Sequence, residues 1–478
     1  MTRLKLALLI LLALIASTAL WHRYKPMPAG LSLKGDLHAV HGLKLLVDDT
    51  WESDEGEGSQ RLSRQHIFDE FFRLIGQAEK MIVVDMFLFN DFQGAGSESY
   101  RALSGELIDA LLIQRDKHPD MPIVVITDPI NTLYGGLHNK PLARLKNANI
   151  TVITTPLPTL RDSNPSWSGL WRVCCQWLSN NANKGWLPNP MGPGKVTLRS
   201  YLTLLNFKAN HRKTLLVDEG AHWTALVTSA NAHDGSSAHS NIGLRFQGNA
   251  VNDLLASELA VAKLAHTALP TLPTLPTQPA NPAADTHLQM LTEGAIRDAL
   301  LTTLEHSQTE DQVDISVFYL SHRPLVNALL AAHHRGVQLR VLLDPNKDAF
   351  GREKNGIPNR QVAHELHKAG IPVRWCNTQG EQCHTKMLLR RNTNSAELIL
   401  GSANYTRRNL DNLNLESNVR LTAAPDQAIM QQAADTFERR WENRFDEKHS
   451  TDYEVYADDS QWKYWLYRGM EFTGWSSF

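Results

Sequence analysis

The stretch Asn210-His211-Arg212-Lys213-Thr214-Leu215-Leu216-Val217-Asp218 constrains the fold more than any other, because an incomplete copy of it returns as His384-Thr385-Lys386-Met387-Leu388-Leu389-Arg390-Arg391. The residues beyond each copy keep step. Ser229 and Asn231 lie 18 and 20 residues beyond His211, and Ser402 and Asn404 lie 18 and 20 beyond His384. Ten residues further on come Asn241 and Asn414. Polar positions repeated at fixed offsets indicate one architecture written twice, and any fold for this chain must bring two His-x-Lys pairs into comparable places.

The apolar patterning around the motifs is duplicated as well. In the first half, Ile67, Phe71, Leu74, Ile75 and Ala78 fall at helical spacing, and Met81–Phe89 reads as a strand covered on both faces. A helix over about 103–115, a strand Ile123–Thr127 ending in Asp128-Pro129, a short helix over about 141–146 and a strand Thr151–Thr155 come next. In the second half the same order recurs as strand Val313–Leu320, helix 325–334, strand Leu339–Leu343 ending in Asp344-Pro345, helix 361–368 and strand 372–375. Strands alternating with helices predict an α/β fold of two similar domains, each with a mainly parallel sheet flanked by helices. Leu43–Val47 is strand-like, and the acidic, Gly-rich run Asp48–Gly58 reads as a solvated loop.

The Pro-rich run from Leu269 to Pro276, continuing through Pro279 and Pro282, excludes helix and sheet, so the domain boundary is placed in a linker over 266–286. The domains are then 31–265 and 287–478. Asp128 to Asp344 is a shift of 216 residues but His211 to His384 only 173, so the first half carries about 43 extra residues, over about 158–200. That insert holds Trp167, Trp171, Trp177 and Trp186. Tryptophan suits the boundary between lipid and water, so the insert reads as a flap on a membrane or an acyl-chain groove, against the alternative of a core cap. The aromatic tail, with Trp462, Tyr464, Trp465, Tyr467 and Trp475, serves the same surface or braces the end of the fold.

Residues 1–30 are expected to stand outside the fold as a signal peptide or an uncleaved N-terminal membrane anchor. Arg3 and Lys5 precede an apolar run from Leu6 to Trp21, which His22, Arg23 and Lys25 close. Either alternative places the body outside the cytoplasm, periplasmic or lumenal. Four cysteines do not make a disulfide scaffold. Cys376 and Cys383 either bridge and brace His384 or remain thiols, while the neighbours Cys174 and Cys175 are expected to pack unbonded. With 48 basic and 50 acidic side chains, nothing global suggests a nucleic-acid binder.

Two His-x-Lys pairs suit phosphodiester chemistry. A neutral imidazole attacks phosphorus, a second imidazolium protonates the leaving oxygen, and fixed cations hold the non-bridging oxygens, without a metal or cofactor. The expected catalytic set is His211, Lys213, His384 and Lys386, with Asn231 and Asn404 as neutral donors and Ser229 and Ser402 as nearby hydroxyls.

Over roughly residues 36–445 the chain resembles the two-motif phospholipase D superfamily, whose signature is His-x-Lys-x4-Asp, then Gly-Ser-x-Asn, then Asn-x-Glu. The first half keeps His211, Lys213, Asp218, Ser229 and Asn231, with Thr228 for the leading Gly, and the second keeps His384, Lys386, Gly401, Ser402 and Asn404. The resemblance implies a pseudo-twofold pair of domains, one site at their interface within one chain, and a phosphohistidine intermediate. Arg391 replaces the second Asp, a position that in the family supports the fold. At the Asn-x-Glu position, 32 residues beyond each histidine, the second half has Glu416 and the first has Gly243. By analogy Glu416 orients His211 across the interface, while His384 lacks a carboxylate. That asymmetry makes His211 the nucleophile and His384 the general acid.

Substrate is less constrained. The N-terminus and the insert favour a phospholipid and a membrane surface, with hydrolysis ahead of phosphatidyl transfer to an alcohol, as in cardiolipin-synthase-like members. An extracytoplasmic nuclease of the same superfamily is the runner-up, and an inactive lipid-binding homologue is the third reading.

Overall fold

The computed structural model of the chain describes residues 3–53, 60–93, 100–277, 279, 284–349 and 352–478. The fold is mixed α/β and built from two similar halves. In the first half the strands run in the order Thr151–Thr154, Ile123–Thr127, Ile82–Met86, Lys213–Glu219, His222–Thr228, Asn241–Gly248 and His38–Ser53. The first three are mutually parallel and the rest antiparallel. The second half repeats this with Val373–Cys376, Gln338–Leu343, Gln312–Val317, Lys386–Arg391, Ala396–Gly401, Ser417–Ala423 and Thr286–Thr292. His38–Ser53 joins the two, because its His38 and Ala39 also pair with Thr286–Thr292.

Strand alternation sorts side chains between two kinds of core. Leu215 and Val217 face the helices of the first half, beside Phe71 and Leu107. Leu216 points the other way and shares a core with Met387, Leu389 and Leu400 of the second half. Leu388 turns outward to the helices of its own half, with Leu325 and Leu366. The two sheets therefore meet face to face, and the motif strands lie in the middle of both.

Three expectations are corrected here. Asp48–Ser53 is not loop but the end of a strand paired with Gln60–Arg64. Asp48 and Asp49 are buried, because the Asp48 carboxylate accepts the amides of His66 and Ile67 and Asp49 pairs with Arg439 and Arg440. The part of the acidic run over 54–59 lies outside the described residues. Cys174 and Cys175 form a disulfide rather than packing as thiols, and Cys376 bridges Cys383. In the linker, Pro282 also falls outside the described residues, but Leu269, Leu272 and Leu275 of the Leu-Pro-Thr repeats pack against the shared core.

Part of the N-terminal segment, from Ile15 onward, rests on the body, which is the third correction. Arg3–Tyr24 is a helix of 22 residues, about 33 Å long at 1.5 Å per residue, and apolar enough to cross a membrane. Residues 3–14 project as an exposed helix, whereas Ile15, Thr18, Ala19, His22 and Arg23 form one half-buried stripe. The stripe lies on the insert helix Pro165–Cys174, where a Cβ at Gly169 would come within 2.8 Å of Ala19 Cβ. Beyond it, the Asp162 amide donates to the His22 carbonyl at 3.0 Å and Arg161 Nε to the Lys25 carbonyl at 2.7 Å. Gly169→Leu is expected to undock the N-terminal helix while leaving the melting of the body nearly unchanged. Faster proteolysis at residues 24–30 would show it; unchanged proteolysis would show that the contact holds nothing.

Candidate active site

Each motif histidine precedes its strand by two residues, and the lysine opens it. The His211 amide donates to the Leu415 carbonyl at 2.9 Å, and the His384 amide to the Ser240 carbonyl at 2.8 Å. Each motif is thus seated on the loop of the opposite half. Each Lys Nζ folds back on the histidine carbonyl, Lys213 at 2.6 Å and Lys386 at 2.7 Å. All four side chains are buried, and His211, His384, Asn231 and Asn404 line a single cavity of about 380 Å³ between the halves.

Two aromatic residues join the site without belonging to either motif. The Phe87 ring lies 4.7 Å from His211 and 5.0 Å from Lys213 Nζ, and the Phe318 ring lies 5.2 Å from His384 and 5.2 Å from Lys386 Nζ. Both come directly after the last residue of a central strand, so the duplication itself held the signal. His239 is also in the cavity, its ring 6.0 Å from His384.

The two histidines have different partners. His211 Nδ1 meets Glu416 Oε2 at 3.0 Å, and His384 Nδ1 meets Asn241 Oδ1 at 3.1 Å. Asn241 Nδ2 donates to the His239 carbonyl at 3.0 Å, which turns Oδ1 toward His384. With Nδ1 engaged, Nε2 is the nitrogen left to each ring for the cavity.

The structural equivalent of Glu416 is therefore Asn241, not Gly243 as a constant offset of 32 residues implied. Strand register shows why. Thr228 pairs with Gly243 as Gly401 pairs with Asn418, and the Ser229 amide bonds Ile242 as the Ser402 amide bonds Ser417. The connection after Ser229 is two residues shorter than that after Ser402, so Asn241 and Asn414 share an offset but not a place. Asn414 instead accepts the Ala209 amide at 3.0 Å. The same register explains Thr228: a Cβ on Gly243 would sit 3.0 Å from its Cβ, while a Cβ on Gly401 would sit 2.3 Å from the Ser417 carbonyl. One bare glycine per pair lets the strands close, on opposite strands in the two halves.

Both serine hydroxyls are turned to the partners of the histidines. Ser229 Oγ donates to Asn241 Oδ1 at 3.0 Å, and Ser402 Oγ donates to Glu416 Oε2. Asp218 accepts the amides of Glu79, Lys80 and Met81 at 2.8–3.0 Å, which fixes the entry to a central strand. Arg391 instead bonds Asp314 at 3.0 Å. Asn231 Oδ1 accepts the Leu88 amide at 3.3 Å, which leaves Nδ2 as its donor.

Burial draws His211 down to about 4 against the opposing pull of Glu416. Burial alone would raise the Glu416 carboxyl, but His211, Lys213 and Ser402 hold it below its ordinary value. Both directions give a neutral ring beside an ionised carboxylate. His384 falls well below its ordinary value through burial and then the charges of Lys386 and neighbouring groups. Lys213 is brought to about 7 by burial, and Lys386 is lowered by burial and Lys213. Two buried ammonium groups beside one another are stabilised by an anion brought between them. No cluster of metal-ligating side chains occurs among the described residues.

A family described as cardiolipin synthase, phospholipase D-like domain, matches residues 300–441, which contain the second motif. That segment, with His384, Lys386, Asn404 and Glu416, is similar to the phospholipase D-like domain of that family. Its fold is that of a phosphatidylserine synthase from Haemophilus influenzae Rd KW20, at TM-score 0.54 and 12% identity over 91% of this chain and 94% of that one. A polyphosphate kinase from Porphyromonas gingivalis aligns at TM-score 0.45 and 12% identity, over 89% of this chain and 53% of the kinase. The phospholipase D family member Nuc from Salmonella typhimurium aligns at TM-score 0.28 and 20% identity, over 35% of this chain and 99% of Nuc. No curated protein sequence matches the chain.

Proposed function

We propose that this protein is a membrane-attached phosphodiesterase that removes the headgroup from phospholipids through a phosphohistidine on His211. The observation that carries the reading is the unequal pair: two histidines face one cavity, one backed by a carboxylate and the other by an amide. In the first step His211 Nε2 attacks phosphorus, the bond from phosphorus to the headgroup oxygen breaks, and His384 Nε2–H gives that oxygen its proton. Glu416 stabilises the cation that the His211 ring becomes. In the second step His384 takes a proton from water, the water oxygen attacks phosphorus, and the P–N bond breaks. An alcohol in place of water gives phosphatidyl transfer.

His384 must be protonated for the first step although burial and the charge of Lys386 favour its neutral form. The phosphodiester supplies the missing charge: its anion offsets Lys213 and Lys386, so a proton enters with the substrate. Asn231 Nδ2 and the two ammonium groups then hold the non-bridging oxygens.

A lipid is supported by the walls and the surface. Phe87, Ile130, Tyr134, Met191, Leu204 and Phe207 give the cavity an apolar side, to which the insert contributes. Trp177 and Trp186 of the insert are 77% and 64% exposed, and Trp465 and Phe472 of the tail 67% and 81%, while Trp171 and Tyr467 pack inward. The Trp475 indole donates to Ser166 Oγ at 2.8 Å, so tail and insert form one surface beside the N-terminal helix. The test compares wild type with His211→Ala on mixed phospholipid vesicles, with and without glycerol, beside a single-stranded oligonucleotide. Phosphatidic acid from the vesicles, absent with His211→Ala, is the expected result. Oligonucleotide cleavage alone, falling steeply with salt, would replace this reading with a nuclease, and no difference between the proteins would leave a lipid-binding homologue.

A further inference from the structure

Besides the motif residues, three cations line the catalytic cavity: Lys208, Lys354 and Arg408. Lys208 is ion-paired with Asp162 at 2.8 Å, a carboxylate it shares with Arg172. The other two have no ion pair among the described residues. Arg408 lies against the Phe207 ring at 5.2 Å and donates only to the Ser476 carbonyl and Oγ. Burial brings its guanidinium down to about 10. Lys354 donates to the Tyr319 hydroxyl and sits 5.2 Å over Phe318 and 4.8 Å over Tyr319. The neighbouring carboxylates are already engaged: Glu471 by Ser321 and the Arg407 amide, Asp344 by the amides of Cys383 and Asn346.

Both cations grip one aromatic wall. Tyr319 touches Lys354, and its ring lies 6.1 Å from Phe478, two residues beyond the Ser476 that Arg408 holds. The wall continues through Phe318 to His384, the group that protonates the leaving oxygen. Two cations faced mainly with ring surfaces are costly to keep in a cavity unless a ligand brings the opposite charge. We propose that Arg408 and Lys354 form a second anion subsite, which receives a carboxylate or phosphate carried by the leaving headgroup of the lipid. The inference rests on the cavity being a phosphodiester site and adds the class of headgroup it selects.

Dihexanoyl phosphatidylserine and dihexanoyl phosphatidylethanolamine, used as soluble monomers, differ by one headgroup carboxylate. Wild type should favour the serine lipid in kcat/KM by about tenfold, as one charge-assisted contact gives. The ratio should fall to near one in Arg408→Gln and in Lys354→Gln and recover in Arg408→Lys, which a damaged fold would not do. A wild-type ratio near one, or a ratio kept in both glutamine variants, overturns the proposal. Calorimetry with O-phosphoserine and phosphoethanolamine reads the subsite without turnover. If phosphoserine binds more tightly only when both cations are present, the subsite stands even where no lipid is cleaved, and the lipid reading alone falls. Equal binding of the two in wild type removes the subsite whatever the substrate.

Discussion

His211→Ala is expected to lower turnover of bis(p-nitrophenyl) phosphate by about a thousandfold or more and to abolish any burst of nitrophenol, because it removes the group proposed to take the phosphoryl. His384→Ala should behave differently on the same substrate. Nitrophenolate leaves without a proton, so the first step survives, but no base remains to activate water. One nitrophenol per protein should appear rapidly, before a slow release. The same variant on an alkyl headgroup, whose alkoxide needs a proton, should show neither phase. Equal bursts from both variants would mean that the two histidines share one role, and the difference between Glu416 and Asn241 would then have no catalytic meaning.

The second large effect concerns those partners. Glu416→Gln keeps a hydrogen bond to His211 but removes the charge proposed to stabilise its phosphorylated form, and the expected loss is about a hundredfold to ten-thousandfold in kcat. Asn241→Asp does the reverse for His384. In the wild type burial and Lys386 hold this ring's affinity for protons down, so activity should peak on the acid side and fall as pH rises and His384 deprotonates. A carboxylate at 3.1 Å would favour the imidazolium and should move that falling limb to higher pH by about one to two units. A limb that stays in place, or moves to lower pH, would show that His384 is not the acid. The pH dependence of kcat/KM for the two proteins decides it.

Much of the duplication is legible in the sequence because strands buried on both faces leave continuous apolar runs, and because His211 and His384 repeat with their Ser and Asn at equal offsets. The equivalence of Asn241 and Glu416 is not legible. Offsets count residues, whereas the strands count hydrogen bonds. A connection two residues shorter after Ser229 than after Ser402 therefore displaces every later position that is matched by offset alone. Phe87 and Phe318 were hidden for another reason: an aromatic residue at the end of an apolar strand is indistinguishable from core until the fold turns it to the histidine. The docking of the N-terminal helix depends on Gly169, which lies 150 residues from Ala19 and carries no local signal of contact. Asp48 and Asp49 read as a solvated acidic run because Arg439 and Arg440, which pair with Asp49, lie in the other half.

The most direct test of the account is to quench wild type and His384→Ala in base during turnover of a ³²P-labelled phosphodiester, digest, and locate the label by mass spectrometry. Phosphorus is expected on His211, accumulating toward one per chain in His384→Ala, where release is slow. Label on His384 in the wild type, or none on either histidine while turnover proceeds, would contradict it.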